Sequence, residues 1–297
     1  MDTQGMAGLM WSGDGHGRDD CGRDEPGHRL VRVVHEGDGT MTATARPPGG
    51  HPFFRDLAAR ADPRYLVEVG HQLFMLHLLR SGRRATRRPS LVRRFTVMGG
   101  AALRPDAALD VALRYRWTRS GDDVERAVAV MTAHQCGRPV GRAESTILVV
   151  ERDVLMATRV ADRGSATGGP PCVDTRSTGV RDPAAVGRVR AHDVLLDAPP
   201  RPADGGSAAH LLVPSGHDFF FDPPVDHVPG AALLEGFLQL GTAAGLVDRP
   251  TRVASRFVRF CETDRPCLLT AHRDDGAATA RMTAWQAGAV VAHATVF

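Results

Sequence analysis

Between Asp222 and Gln239 the chain sets Asp222, Asp226, His227, Pro229, Gly230, Glu235 and Gln239 around the start of one apolar segment. Histidine is the side chain whose ordinary titration falls near neutral pH, so His227 suits proton transfer with a hydroxyl. Asp226 or Asp222 would orient its ring. A helix beginning at Gly230 offers unpaired backbone N–H groups and a positive dipole end, suited to an oxygen that gains negative charge. Glycine there lets a substrate approach closely.

The elements that must hold these groups can be read from the same stretch. Pro229 and Gly230 precede AALLEGFLQLGTAAGLV, a run of helix formers and small apolar residues, which predicts a helix from about Gly230. Glu235 and Gln239 lie four apart and so share a helix face with each other and with Leu238. An ionised carboxylate in such oily surroundings costs several kcal/mol unless something pairs with it or its pKa rises. An echo occurs earlier in DPRYLVEVGHQ, Asp62 to Gln72, where Glu68 and Gln72 repeat the spacing in a helix apolar nearly all round. Helices of that kind are buried.

Composition removes several chemistries. All 37 basic residues of the 297 are arginine, and there is no lysine, so neither a Schiff-base lysine nor a phosphate-loop lysine exists here. Asparagine is also missing and Ile147 is the only isoleucine, the usage of a GC-rich genome. Cys21, Cys136, Cys172, Cys261 and Cys267 are scattered without a CxxC, which points to a reducing cytoplasm rather than a disulfide framework or zinc site. Cys261 and Cys267 read as small apolar fillers on strands. His16, Cys21 and His28 match no metal-site spacing. The N-terminus lacks the pattern of a secretory signal, and no apolar run reaches membrane-spanning length.

Residues 1–28 read as a disordered tail, 29–158 as a first unit, 159–188 as a linker and 189–297 as a second unit. In the first unit LVRVV and TMTATAR read as strands, a helix covers about Asp62 to Arg80, and VRRFTVMG, LDVALRYRWTR, VERAVAVMTAHQ and GRAESTILVV read as four more strands. The second unit repeats that order, with VRAHDVLL, HLLVPSG and HDFFF ahead of its helix and four strands after it. A long helix followed by about four strands, twice, predicts an α+β tandem hot-dog, in which an antiparallel sheet wraps a central helix and the two units pair as a pseudo-dimer.

Four ordered motifs, HPFFRD at His51, DPRYLVEVGHQ at Asp62, SGHDFFFDPPVDHVPG at Ser215 and RFVRFCETDRPC at Arg256, resemble the A-factor biosynthesis (AfsA-like) family. The likeness runs from about Arg29 to the C-terminus. The loop, Pro-Gly turn and helix also resemble hot-dog dehydratases, but the dehydratase histidine falls at Phe221, which disfavours dehydration. The family resemblance implies an acyltransferase without cofactor or metal. A β-ketoacyl group passes from acyl carrier protein to the hydroxyl of dihydroxyacetone phosphate, and an intramolecular condensation closes a butenolide ring.

On that reading His227, Asp226, Glu68 and Glu235 are the catalytic candidates, with Glu68 and His227 as the working pair. Gly230, Gln72, Gln239, Arg256 and Arg259 are the substrate-binding ones. His51 and His217 read as fold elements that seat the loop, and His71 and His77 as core residues. Members of the family carry Arg one turn after the helix Glu; here His71 and Leu238 stand in those places. Arg256 and Arg259 would then hold a phosphate from one face of the following strand. Seven arginines from Arg80 to Arg94, among them Arg83, Arg84, Arg87 and Arg88, suit docking of an acidic carrier protein rather than nucleic acid or membrane. A catalytically silent double hot-dog that binds acyl chains or a protein partner is the alternative.

Overall fold

The computed structural model describes residues 9–10, 29–37, 39–81, 89–119, 124–165, 182–203, 206–214, 216–221, 225–274 and 278–297. Strands β1 (Leu9–Met10), β2 (Val31–Gly37) and β3 (Thr40–Ala45) precede helix α1 (Pro63–Arg80). Strands β4 (Ser90–Met98), β5 (Leu109–Arg119), β6 (Val124–Gln135) and β7 (Arg138–Val150) follow, and then helix α2 (Arg152–Ser165). The second half repeats the plan with β8 (Arg201–Ala203), β9 (Gly206–Leu211), α3 (Gly230–Ala243), β10 (Arg252–Phe257), β11 (Cys267–Arg273), β12 (Ala280–Gln286) and β13 (Ala289–Val296).

All strand pairs are antiparallel, and the sheet order β2-β3-β5-β6-β7-β4-β10-β13-β12-β11-β9-β8 reads as one unit followed by its mirror. The units join through β4 and β10, where Phe95 opposes Ser255 and Arg94 opposes Arg256. This is the double hot-dog that the element pattern predicts. Alternation sets the strand faces: β6 buries every second residue from Glu125 to Gln135. Helix α1 starts where Pro63 follows Asp62, whose side chain accepts from the Arg64 backbone N–H. Tyr65, Leu66, Val69 and Leu73 of that helix are fully buried against the sheet.

The repeat extends to single hydrogen bonds. Gln72 accepts from the Leu30 amide at 2.8 Å, and Gln239 accepts from the Leu195 amide at 2.7 Å. His51 Nδ1 accepts from the Phe53 amide at 3.1 Å, and His217 Nδ1 from the Phe219 amide at 3.2 Å, so both histidines seat their loops. Phe53 and Phe219 stack face to face at 4.2 Å between the units. The hairpins after β6 and β12 turn through left-handed pairs, Cys136-Gly137 and Ala287-Gly288.

Several expectations need correction. Leu9–Met10 pairs with β4 inside the stretch expected to be a tail. The expected linker, 159–188, takes up the second half of α2 at one end and a short helix at Pro183–Val186 at the other. Its arginines Arg159 and Arg188 are buried, because each answers a carboxylate that would otherwise be stranded. VRAHDVLL contains a helical turn at Ala191–Asp193, and HDFFF forms a turn packed into the aromatic cluster. Among the described residues no helix is long and apolar enough to cross a membrane.

Candidate functional site

The loop that enters α3 is fastened to the segment after β10. Val228 N–H donates to the Cys261 carbonyl at 2.7 Å, and His227 bridges to Glu262. The first unit has the same arrangement, with Ala61 N–H donating to Ala101 O at 2.8 Å and Arg60 bridging to Ala102. Arg60 therefore occupies the position equivalent to His227.

His227 is buried, with Nδ1 3.1 Å from Asp226 Oδ1. The hydrogen bond with His227, and Arg159 beyond it, hold the Asp226 carboxyl well below the usual carboxylate range. An ionised Asp226 accepts from Nδ1–H, which leaves Nε2 as the basic nitrogen. Nε2 is buried and has no hydrogen-bond partner among the described residues. Arg159 of α2 secures the assembly: its Nη1 lies 2.6 Å from Asp226 Oδ2, its Nη2 3.0 Å from the Asp226 carbonyl, and its Nε 2.7 Å from Glu262 Oε1. A further Arg159 bond reaches Glu262 Oε2. Phe260 packs edge-on against His227 with ring centroids 5.3 Å apart.

The start of α3 follows directly. Pro229 is its cap residue and makes no side-chain hydrogen bond, and the first turn holds no acidic residue. The start of α1, in contrast, is closed by Asp62, which also takes the Arg64 guanidinium at 2.8 Å. The uncapped helix start and the buried His227 imidazole thus lie in the same loop of the second unit.

The two helix carboxylates differ sharply. Arg188 forks onto Glu235, with Nε to Oε1 at 2.8 Å and Nη2 to Oε2 at 2.6 Å, and Arg64 adds a contact at 3.3 Å. Burial alone would raise the Glu235 carboxyl, but Arg188 and Arg64 outweigh it and hold it down at about 2. Such a group is a poor proton carrier near neutral pH, which corrects the catalytic expectation for Glu235. Arg188 also bonds Phe53 O at 3.1 Å and Asp56 at 3.2 Å, so this clamp fastens the second helix to the loop of the first unit. Glu68 accepts from Gln72 at 2.9 Å and lies 3.5 Å from His71 Nδ1.

Other expected residues fall in different roles. Gln72 and Gln239 are spent on backbone groups and on the neighbouring glutamate rather than turned to a ligand. Strand β10 ends at Phe257, so Arg256 and Arg259 do not share one regular strand face. Arg256 is exposed opposite Arg94, and Arg259 lies 3.5 Å from Asp162 of α2. His77, expected in the core, is buried but hydrogen-bonded to Glu36 at 2.8 Å. Cys261 and Cys267 are free and buried, and only Cys267 lies on a strand. Asp222, Arg83, Arg84, Arg87 and Arg88 lie outside the described residues.

Sequence reasoning missed Arg159, Arg188, Arg64 and Glu262. A signal existed for two of them: Arg64 and Glu262 stand inside quoted motifs. A buried Glu235 also required a cation from somewhere in the chain.

Residues 174–297 match the A-factor biosynthesis hotdog domain. Over 134 residues the chain is 38% identical to a 2-oxo-3-(phosphooxy)propyl 3-oxoalkanoate synthase of Streptomyces virginiae, covering 42% of this chain and 42% of that one. Over 283 residues it is 29% identical to a synthase of the same name from Streptomyces coelicolor, covering 88% of this chain and 84% of that one. The matched stretch thus spans less than half of the first relative and most of the second. Among solved structures, the 12:0-ACP thioesterase from Umbellularia californica superimposes with a TM-score of 0.52 at 12% identity, covering 89% of this chain and 98% of that one. An acyl-ACP thioesterase from Bacteroides thetaiotaomicron gives 0.51 at 12% identity over 87% of this chain and 97% of that one. At that identity the likeness speaks for the fold alone. The A-factor biosynthesis hotdog domain matches the second unit, where the imidazole and the uncapped helix start lie, and the longer match extends the similarity to these synthases across both units.

Proposed function

We propose that the protein is an acyltransferase that joins a β-ketoacyl group, delivered as a carrier-protein thioester, to the primary hydroxyl of dihydroxyacetone phosphate. The observation that carries this reading is the buried His227 Nε2, unpartnered, beside the uncapped start of α3 and oriented through Nδ1 by an ionised Asp226. His227 Nε2 takes the hydroxyl proton as the oxygen adds to the thioester carbonyl. The N–H groups at Gly230 and the next residue face the oxygen as it becomes negative. The tetrahedral adduct collapses, the C–S bond breaks, and the carrier thiolate recovers the proton from His227. The product is the 3-oxoacyl ester of the acceptor, the type of compound named in the relatives' titles. Its acidic methylene then adds to the ketone of the same molecule, and loss of water closes the butenolide ring.

The acceptor phosphate falls to the arginines gathered around Asp162, which lies one turn along α2 from Arg159. Asp162 is the acidic neighbour shared by Arg259 and Arg93, and Arg256 stands beside Arg93. Burial, and then repulsion from Arg256, lower the Arg93 pKa, and its Nη1 is buried without a hydrogen-bond partner. Positive charge exceeds negative there, the condition for holding an anion. The carrier protein docks at the end of α1, where Arg80 is exposed.

Incubation of the full chain with β-ketoacyl-carrier protein and dihydroxyacetone phosphate tests the reading. Mass spectrometry should show the acylated acceptor. Its absence above a no-enzyme control would remove this activity.

A further inference from the structure

A cavity of about 50 Å³ lies between α1 and strands β4 to β7 of the first unit, where one water needs only ~10–15 Å³. Its wall is apolar except at His71, Ser90 and Ser145, and the Ser90 hydroxyl turns onto the Met75 sulfur at 3.9 Å. We propose that this cavity holds the aliphatic tail of the acyl group and that Gly70 and Met131 set its length. The proposal rests on the acyl-transfer reading above and says which unit holds the chain.

The repeat supplies an internal comparison. With Glu68 and Gln72 matched to Glu235 and Gln239, Gly70 corresponds to Phe237 and Phe74 to Gly241. At these two matched positions each helix thus carries a glycine and a phenylalanine a turn apart, in opposite order. In the second unit the notch is filled: a Cβ at Gly241 would meet Met282 Cε at 2.8 Å and Val247 Cγ2 at 2.9 Å. Phe237 there is fully buried. In the first unit a Cβ at Gly70 would meet only Met131, its sulfur at 3.4 Å. Met131 and Met282 are themselves equivalents, each four residues before the buried Gln that ends its strand (Gln135, Gln286). The same methionine closes the notch in one unit and floors an open one in the other.

The end of β4 that borders the cavity on one face neighbours the His227 loop of the other unit on its other face. Ser90 and Val92 line it, and Leu91 between them packs in one cluster with Phe260, the ring that meets His227. His227 and the cavity are therefore served by the same end of β4. The tandem divides the work, with the tail held in the first unit and the proton carrier supplied by the second.

Calorimetric titration of the full chain with hexanoyl-, octanoyl-, decanoyl- and dodecanoyl-pantetheine tests this without turnover. Wild-type affinity should rise about fourfold per added methylene until the cavity is full. Gly70→Leu should weaken the dodecanoyl ligand about tenfold and the hexanoyl ligand less than about twofold. Met131→Ala should move the preferred chain to greater length, and it decides the matter if Gly70→Leu does not fold. Gly70→Ala, favoured by helix propensity, should shorten the preference modestly. Equal losses at every length, or an unmoved preference in both Gly70→Leu and Met131→Ala, would overturn the assignment. A moved preference with no transfer to dihydroxyacetone phosphate would sink the synthase reading and leave the cavity assignment standing.

Discussion

Arg159 bonds Asp226 twice, through the carboxylate at 2.6 Å and through the backbone carbonyl at 3.0 Å, from a helix 67 residues upstream. The Asp226 side chain is 62% exposed, so this double grip, rather than burial, keeps its other oxygen on His227. Asp226→Asn therefore tests orientation separately from stability. The amide can offer its NH₂ to Nδ1 and select the wrong tautomer. We expect kcat in the carrier-protein assay to fall about hundredfold with the melting midpoint nearly unchanged. Full activity in Asp226→Asn would remove the Asp226–His227 pair from the mechanism.

The same arginine predicts a stability effect. Arg159 and Glu262 are both buried and joined by two bonds, so Arg159→Met strands a carboxylate in the interior. The expected loss is roughly 3–5 kcal/mol in urea denaturation. Replacing both partners, Arg159→Met with Glu262→Leu, should recover most of it, because no charge is then left unpaired. If the double variant is no more stable than Arg159→Met alone, unpaired charge is not the cause.

How these residues were or were not legible is a matter of range. The Glu-Gln spacing in α1 and α3 could be read because both members lie on one helix, four residues apart, and the strands announced themselves by alternation. Arg159 and Arg188 could not be read that way. Their partners Glu262 and Glu235 lie 103 and 47 residues away, and nothing local in a Gly-, Pro- and Ser-rich stretch marks one arginine as buried. The resemblance pointed to the His227 loop, but only the fold shows that Arg188 and Arg64 are partners of Glu235.

Two buried groups predict how stability depends on pH. Burial, with His192 beside it, lowers the His217 pKa from 6.5 to about 4, so the unfolded chain binds this proton first on acidification. His217 therefore removes stability as pH falls from about 6.5 to about 4. Glu235 is held at about 2 against an ordinary 4.5, and its contribution is present above 4.5 and lost as pH falls towards 2. Urea midpoints measured across this range should decline in both windows. In Glu235→Gln the decline below about 4.5 should flatten, and an unchanged slope there would show that Glu235 is not held ionised.

The contrast between the two helix glutamates gives the sharpest test of which carboxylate does chemistry. Glu235→Gln leaves Arg188, fully buried, with Asp56 as its one charged partner among the described residues, so we expect a loss of roughly 3 kcal/mol or more. Activity should fall in step with the folded fraction. Glu68→Gln preserves the shape and an acceptor for Gln72. We expect it to abolish turnover while moving the thermal midpoint little. Stability and kcat measured on both variants separate the roles. A Glu68→Gln protein with wild-type turnover would assign α1 to holding the acyl tail alone and leave the chemistry to the His227 loop.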